Sequence, residues 1–553
     1  MFLLLIVALA TAFHVRRQTL PRSAVIVFAV CSVLLVAYTF TRPAGMYSGD
    51  ESIKLAQSIA ILDGQIELTY PGAELDPGRH HFPHGPPWVV IEDGHFYGVY
   101  SVVFAAPSAL AWSVCGYWGL YIWPLLGGLA TLWYVMRLAH RTLPGAPVVI
   151  ALLVMTTPIV LDAALFNEHA PACGLVLFAL VHGCSPKRGL QLASGAAASI
   201  AIAIRPELVT GIPALIVFFI AASTDGLGAA ARRIGWMALG GIAPLTIHVV
   251  ANLVTIGVPS PVLHETYVPL PRAAWGLDII PSELEQTGVV LFIPIVVAVV
   301  LALVPPRPRL ERARTVAIAL AAVAWLVVEG GYLYRTTNDA FAHPAALLAA
   351  TPLFVLGLAL GPYRARDGDD VRLARALWLF AIVGIAAMMM INTSMGHGGR
   401  IGARFILVYM PALAIASVVV AKRSRLLSLV AIAAVGFGVW AQVLESRQLG
   451  RARGRSAAVV AALQSRPEPY VFSGLFWGPQ VAGPVWGEKQ IFNSGSAIGP
   501  LLSEIKRRGN TTVIDLVGGL EQWAKLQRAP RIELVPIDLG TPRVRVYRFT
   551  PSP

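Results

Sequence analysis

Charge is what this sequence has least of. Only 13% of its 553 residues are Asp, Glu, Lys or Arg, against about 25% in soluble domains. Acidic residues are the scarcer half, 30 against 43 basic, for a formal charge of +13. Cysteine is nearly absent. Cys31, Cys115, Cys173 and Cys184 lie in or beside apolar segments without CxxC spacing, so they read as small core residues, neither metal ligands nor a disulfide framework. There is no Walker A sequence, no G-x-S-x-G, no HExxH and no GxGxxG between a strand and a helix. P-loop, serine-hydrolase, zincin and dinucleotide chemistry therefore have no support. Internal repeats and low-complexity tracts are also missing.

Hydrophobic residues fill the space, at 56% of the chain. Apolar runs of spanning length recur from end to end, which predicts a polytopic α-helical membrane protein of about 13 to 14 transmembrane helices. The surplus of Lys and Arg sits mostly in short loops between those runs, at Lys187–Arg188, Arg232–Arg233, Arg307 to Arg314, Arg364 to Arg375 and Lys422 to Arg425. The positive-inside bias puts these loops in the cytoplasm and gives no reason to expect nucleic acid as a partner. Met1 to Phe13 is apolar but has its positive charge after it, so it reads as a short span and not as a signal peptide. Further spans are expected at Ser23 to Phe40, Gly119–Met136, Pro147–Leu165, Ala170–Cys184, Leu190–Ile204, Leu208–Ala222 and Trp236–Ile256. The series continues at Val289–Leu303, Thr315–Val328, Pro344–Leu360, Leu377–Ile391, Phe405–Ala421 and Leu426–Val443. Ser101 to Cys115, short and holding Pro107, is expected to lie in the interface.

Two parts follow: a transmembrane domain, 1–443, with a long external loop at 42–118, and a soluble external α/β domain, 444–553. In the latter, Tyr470–Ser473, Thr511–Leu516, Arg531–Ile537 and Arg543–Phe549 read as strands. Ser456–Gln464, Ala497–Arg508 and Leu520–Gln527 read as helices, and Gly474 to Pro500 as a surface loop region. This domain holds no pair of acids beside a nucleophile, so it is expected to be non-catalytic and to shape acceptor choice.

The functional reading centres on MYSGDESIK, Met46 to Lys54, just past the Ser23–Phe40 run. Carboxylates beside hydrocarbon are costly and are kept for a role or a partner. Ser48 to Glu51 reads as S-x-x-E, a capping box in which Glu51 folds back to the backbone. Asp50 is then left to face a ligand. Lys54, Arg205, Arg335, Arg400 and Arg404 are basic residues on the external side, against the bias, so an anionic partner is expected for each. A phosphate is one candidate; for Arg205, internal pairing with Glu168 or Glu207 is the other. Asn167–Glu168–His169 is either part of a divalent-cation site or a helix N-cap. His80, His81 and His84 lie in a Pro-rich loop without metal-ligand spacing, which suits a loop touching substrate or headgroups better than a metal site. No cofactor is certain, and a divalent metal is possible.

With these residues in view, the chain resembles the GT-C membrane glycosyltransferases, in the branch of protein O-mannosyltransferases and lipid A aminoarabinose transferases (glycosyltransferase family 39-like). The resemblance rests on Asp50–Glu51 after an early span and on GHFYGVYSVVFAAPSALAW at the end of the first loop. It rests also on the I-R-P-E turn at Ile204 to Glu207, on GGRIGARFILVYMPALA at Gly398 to Ala414, and on the C-terminal external domain. It implies that Asp50 is the catalytic base, with Glu51 beside it, and that a polyprenyl-phosphate-linked sugar is the donor. The acceptor would be a glycan, lipid or protein of the cell envelope. It also implies a multi-pass protein of the inner (plasma) membrane, with active site and C-terminus on the periplasmic or extracellular side. The motif Asn167–Glu168–His169 departs from the Asp-x-Asp of that family, which bears on metal use. The competing function is a non-enzymatic transporter or flippase of lipid-linked saccharides, for which half-to-half symmetry and charges at mid-membrane would be expected.

Overall fold

The protein is a polytopic α-helical membrane protein. The computed structural model describes residues 20–47, 49–85, 88–143, 145–261, 311–336, 356–357, 369–391, 404–474, 482–494, 498–510, 512–516, 520, 534–537 and 544–549. Among these, four helical stretches are long and apolar enough to cross a membrane: Arg22–Phe40, Val102–Thr142, Leu227–Ile256 and Arg425–Gln464. Helix α1, Arg22–Phe40, is 19 residues long, about 28 Å, close to the roughly 30 Å of bilayer hydrocarbon. Its Ser32 and Thr39 hydroxyls donate to the Phe28 and Leu35 carbonyls at 2.7 and 2.8 Å. These two hydroxyls are thus satisfied within the helix itself.

The expected spans mostly appear as helices, with informative differences. After α2 (Gly49–Leu62) and α3 (Val102–Cys115) comes α4 (Ile122–Thr142). The expected Pro147–Leu165 span is instead two short helices, α5 (Pro147–Val154) and α6 (Ile159–Ala163). At the break, the Thr156 and Thr157 hydroxyls donate to the Leu153 and Val154 carbonyls, both at 2.7 Å. Pro158 then has no N–H to carry the helix on. Next come α7 (His169–Gly183), α8 (Arg188–Ile204), a 3₁₀ turn at Pro206–Thr210, α9 (Gly211–Ala222) and α10 (Leu227–Ile256). The spans expected at Met1 to Phe13, Val289–Leu303 and most of Pro344–Leu360 lie outside the described residues. Helices α11 (Glu311–Thr336), α12 (Asp369–Ile391), α13 (Met410–Ala421) and α14 (Arg425–Gln464) complete the series. The span at Leu426–Val443 and the separate helix at Ser456–Gln464 are one continuous 40-residue helix.

By internal contacts the chain forms two compact units. One comprises 1–41, 123–250 and 269–448; the other comprises 42–122, 251–268 and 449–553. The sequence-based division at 443/444 kept the first external loop with the membrane segment. Packing places that loop in the same unit as the C-terminal residues. In the first unit, Phe218 of α9, Phe380 of α12 and Tyr409 pack in series, edge-on and then tilted, with ring centroids 6.4 and 5.1 Å apart.

In the second unit, strands β1 (Val89–Glu92) and β2 (His95–Gly98) form an antiparallel hairpin. Its turn is Asp93–Gly94, both at positive φ, 49° and 78°, the conformation that Asp-Gly favours in two-residue hairpins. Phe96 of this hairpin is buried, 4.4 Å from the Phe82 ring centroid. The C-terminal strands β3 (Tyr470–Ser473), β4 (Gln490–Asn493), β5 (Thr512–Leu516), β6 (Leu534–Ile537) and β7 (Val544–Phe549) make a mixed sheet of order β4-β3-β5-β7-β6. Strand β4 falls in the stretch expected to be a surface loop. Helix α15 (Ile498–Arg507) packs Leu501, Leu502 and Ile505 against this sheet in a core shared with Ile53 and Ala56 of α2 and Val459 and Leu463 of α14. Loop, helix and sheet therefore stand or fall together.

Candidate active site

The first turn of α2 carries Asp50 and Glu51, where carboxylates complement the positive helix end. Glu51 is fully buried and accepts a hydrogen bond from the Tyr47 backbone N–H. It does fold back, as the capping reading expected, though onto the residue before Ser48, itself outside the described residues. Its other oxygen lies 4.0 Å from the Arg453 guanidinium, and neither side chain reaches solvent. The Arg453 guanidinium sits 4.6 Å from the Tyr121 ring centre, a favourable place for a cation. The Tyr117 hydroxyl donates to the Gly45 carbonyl at 2.8 Å and lies 2.5 Å from the Tyr121 hydroxyl. One proton cannot serve both contacts, so Tyr121 donates to Tyr117. Gly45 has to be glycine: a Cβ there would come within 2.2 Å of the Arg453 carbonyl oxygen. The Met46 N–H donates to the Ser456 hydroxyl at 3.0 Å. The segment before α2 is thereby tied to the 453–456 turn of α14.

Asp50 is 5% exposed and is not left free, as the sequence reading had it. The Trp88 indole N–H donates to one of its oxygens at 3.1 Å. Lys54, one turn along, is 1% exposed, with its ammonium 4.4 Å from the Tyr100 ring centre and 5.9 Å from that of Phe104. Within this unit the side chains of Asp50, Glu51, Lys54 and Arg453 bring together two formal charges of each sign.

The histidine loop is held by its own acid. Asp76 accepts from the Tyr70 hydroxyl at 2.9 Å and from the backbone N–H groups of His80 and His81 at 3.0 and 2.7 Å. The His81 ring donates through Nδ1 to the Asn493 carbonyl, 3.1 Å away, and His80 is exposed. His84 stacks on Trp486, with centroids 5.0 Å apart. The His81 and His84 imidazoles serve different partners, and among the described residues no three His, Cys, Asp or Glu side chains converge as a metal site. Burial pushes the His84 pKa down to about 3, against about 6.5 in an unfolded chain. As pH falls below about 6.5 the unfolded chain takes the proton and the folded one refuses it, so stability drops by up to about 1.4 kcal/mol per pH unit until about pH 3. His84→Phe should flatten the fall of thermal midpoint between pH 7 and pH 4. A fall as steep as that of the parent would refute this.

In the other unit, Arg205 ends α8 and meets two carboxylates. Its guanidinium donates to Glu168 at 2.6 Å, pairs with Glu207, and lies 3.1 Å from Nε2 of His169. All four side chains are buried. Arg205 thus has the internal partners that the sequence left open, and two acids around one base do not leave an anion cradle. Glu168 stands at the N-cap of α7 without making a side-chain capping bond; its carboxylate goes to Arg205. Asn167 donates to Asp162 at 3.4 Å. Arg400 lies outside the described residues, as do the side chains of Arg335 and Arg404.

Sequence reasoning missed Arg453, Trp88 and the Tyr117–Tyr121 pair. Arg453 had a signal: it sits in GRARGRS, basic residues on the side expected to be external, where an anionic partner is called for. Trp88, which follows a Pro-Pro step, had none.

No family model matches the chain, and no curated protein matches it. Among solved structures it is similar to ArnT from Cupriavidus metallidurans in the apo state, at 14% identity and a TM-score of 0.46, over 95% of this chain and 97% of that one.

Proposed function

We propose that this protein is an integral-membrane glycosyltransferase of the GT-C type. It moves a sugar from a polyprenyl-phosphate donor to a cell-envelope acceptor, with Asp50 as general base on the outer face of the inner membrane. The observation that carries the reading is the division of labour at the start of α2. Glu51 is engaged by the Tyr47 N–H and set against buried Arg453, whereas Asp50 accepts the Trp88 indole N–H. In the reaction the acceptor oxygen attacks the anomeric carbon, the sugar–phosphate bond breaks, and polyprenyl phosphate leaves. The acceptor proton passes to Asp50 as the new bond forms, because a carboxylate is too weak a base to remove a hydroxyl proton beforehand. Positive side chains stabilise the departing phosphate. Lys54 is the candidate on the same helix, and Arg400 and Arg404 remain candidates for donor binding. The C-terminal residues would shape acceptor choice.

The test is sugar release from a radiolabelled polyprenyl-phosphate sugar in membranes containing the protein. Movement of the intact lipid-linked sugar without cleavage would sink the enzyme reading and favour a flippase. Within the enzyme reading, Trp88→Phe keeps an aromatic ring but removes the N–H. A hydrogen bond to a charged group contributes about 1.5–3 kcal/mol, so turnover should fall by roughly tenfold or more with the donor KM nearly unchanged. A change confined to KM would mean that Trp88 binds substrate and does not orient Asp50.

A further inference from the structure

The helix ends in the first unit that carry Arg-rich turns hold a cavity with no part in the chemistry above. It measures about 360 Å³ and is lined by Arg137 and Arg141 of α4, Val181 and His182 of α7, Cys184 to Pro186 of the following turn, and Leu190 of α8. Specific ligand sites commonly start at about 300 Å³. The segments 123–150, 180–192 and 223–240 contain Arg137, Arg141, Lys187, Arg188, Arg232 and Arg233 and a single acid, Asp225. That acid is taken by Arg233 at 2.6 Å, and the Arg188 guanidinium lies over the Trp236 ring, 5.3 Å from its centre. Among the described residues, neither Arg137 nor Arg141 has a carboxylate within ion-pair distance. Arg141 donates one N–H to the Val181 carbonyl at 3.0 Å, which fixes its guanidinium at the cavity wall.

Snorkelling accounts for an arginine in the last turn of a membrane helix. It does not account for a second one a full turn earlier on the same face, where like charges at i and i+4 repel. An anion held between them removes that repulsion, and two guanidinium forks match phosphate oxygens in shape and number of donors. We propose that this cavity binds a phosphate group through Arg137 and Arg141. The phosphate belongs either to an anionic phospholipid headgroup, as basic clefts between membrane helices accept, or to a soluble phosphate compound.

The experiment uses the full chain, purified in neutral detergent and stripped of lipid. One arm measures binding of phosphatidylglycerol against phosphatidylcholine by native mass spectrometry, and the other measures binding of inorganic phosphate alone. The double variant Arg137→Gln/Arg141→Gln should weaken binding at least tenfold in whichever arm is positive. Arg137→Lys/Arg141→Lys, which keeps both charges, should retain more of it than the Gln pair. The control Lys422→Gln/Arg425→Gln removes two charges from another basic loop and should leave binding unchanged. Phosphatidylglycerol bound without competition from inorganic phosphate identifies the lipid source; displacement by inorganic phosphate identifies the soluble one. Binding in neither arm, full binding by the Gln pair, or equal loss in the control would overturn the site.

Discussion

Asp50→Asn is expected to lower sugar transfer by about 10² to 10⁴-fold, the range for loss of a general base, with donor binding largely retained. The amide has almost the volume of the carboxylate, and its oxygen can still accept the Trp88 N–H. What it cannot do is take the acceptor proton. The measurement is single-turnover sugar release at saturating donor, with donor affinity read separately. A variant that transfers at the parent rate removes Asp50 from the mechanism. One that loses donor affinity in step with turnover makes it a binding residue.

Glu51→Gln should fail differently, through stability more than chemistry. The carboxylate lies 4.0 Å from Arg453, and both are fully buried. Removing one partner of a buried ion pair costs about 3–5 kcal/mol. The expected result is a lower thermal midpoint, with transfer by the folded fraction close to that of the parent at permissive temperature. Arg453→Met should destabilise similarly, and the Glu51→Gln/Arg453→Met pair should recover part of the loss, because the double variant keeps neither buried charge of the pair. Additive losses in that cycle would show that the two residues do not act as a pair. The same contact bears on truncation. Ending the chain before Arg451 would remove Arg453 and Ser456 along with the sheet, so it would unseat the start of α2 as well as any acceptor surface.

Much of the architecture was legible because bilayer physics writes long signals. A 19-residue apolar run such as Arg22–Phe40 has few alternatives to a helix, and charged loops set an orientation that can be checked across the whole chain. Short features carried less. QIFN at Gln490–Asn493 is only four residues long and lies among glycines and prolines, so nothing in it outweighs a loop reading. The Asp93–Gly94 turn was legible in principle, as Asp-Gly between β-prone residues. At the site, local sequence led to Asp50 and to the backward turn of Glu51. The partner of Glu51 comes from a helix some four hundred positions later, and such pairings are written only in the fold. Arg205 is the converse: its partners Glu168 and Glu207 were both named beforehand, and proximity in sequence to Glu207 made that contact accessible.

The core of the second unit also sets a timetable. Trp486 donates to the Thr69 carbonyl at 3.0 Å across 417 positions of chain. At about 5–20 residues per second of synthesis, roughly 20–80 seconds separate the emergence of the two partners. During that interval Tyr70, Phe82 and Phe96 await the sheet that buries them. Exposed apolar loops in that state are prone to aggregate and invite holdase chaperones or proteases. Ribosome-stalled chains ending before residue 459 should therefore be cut readily in the 64–100 segment, and full-length chains should not.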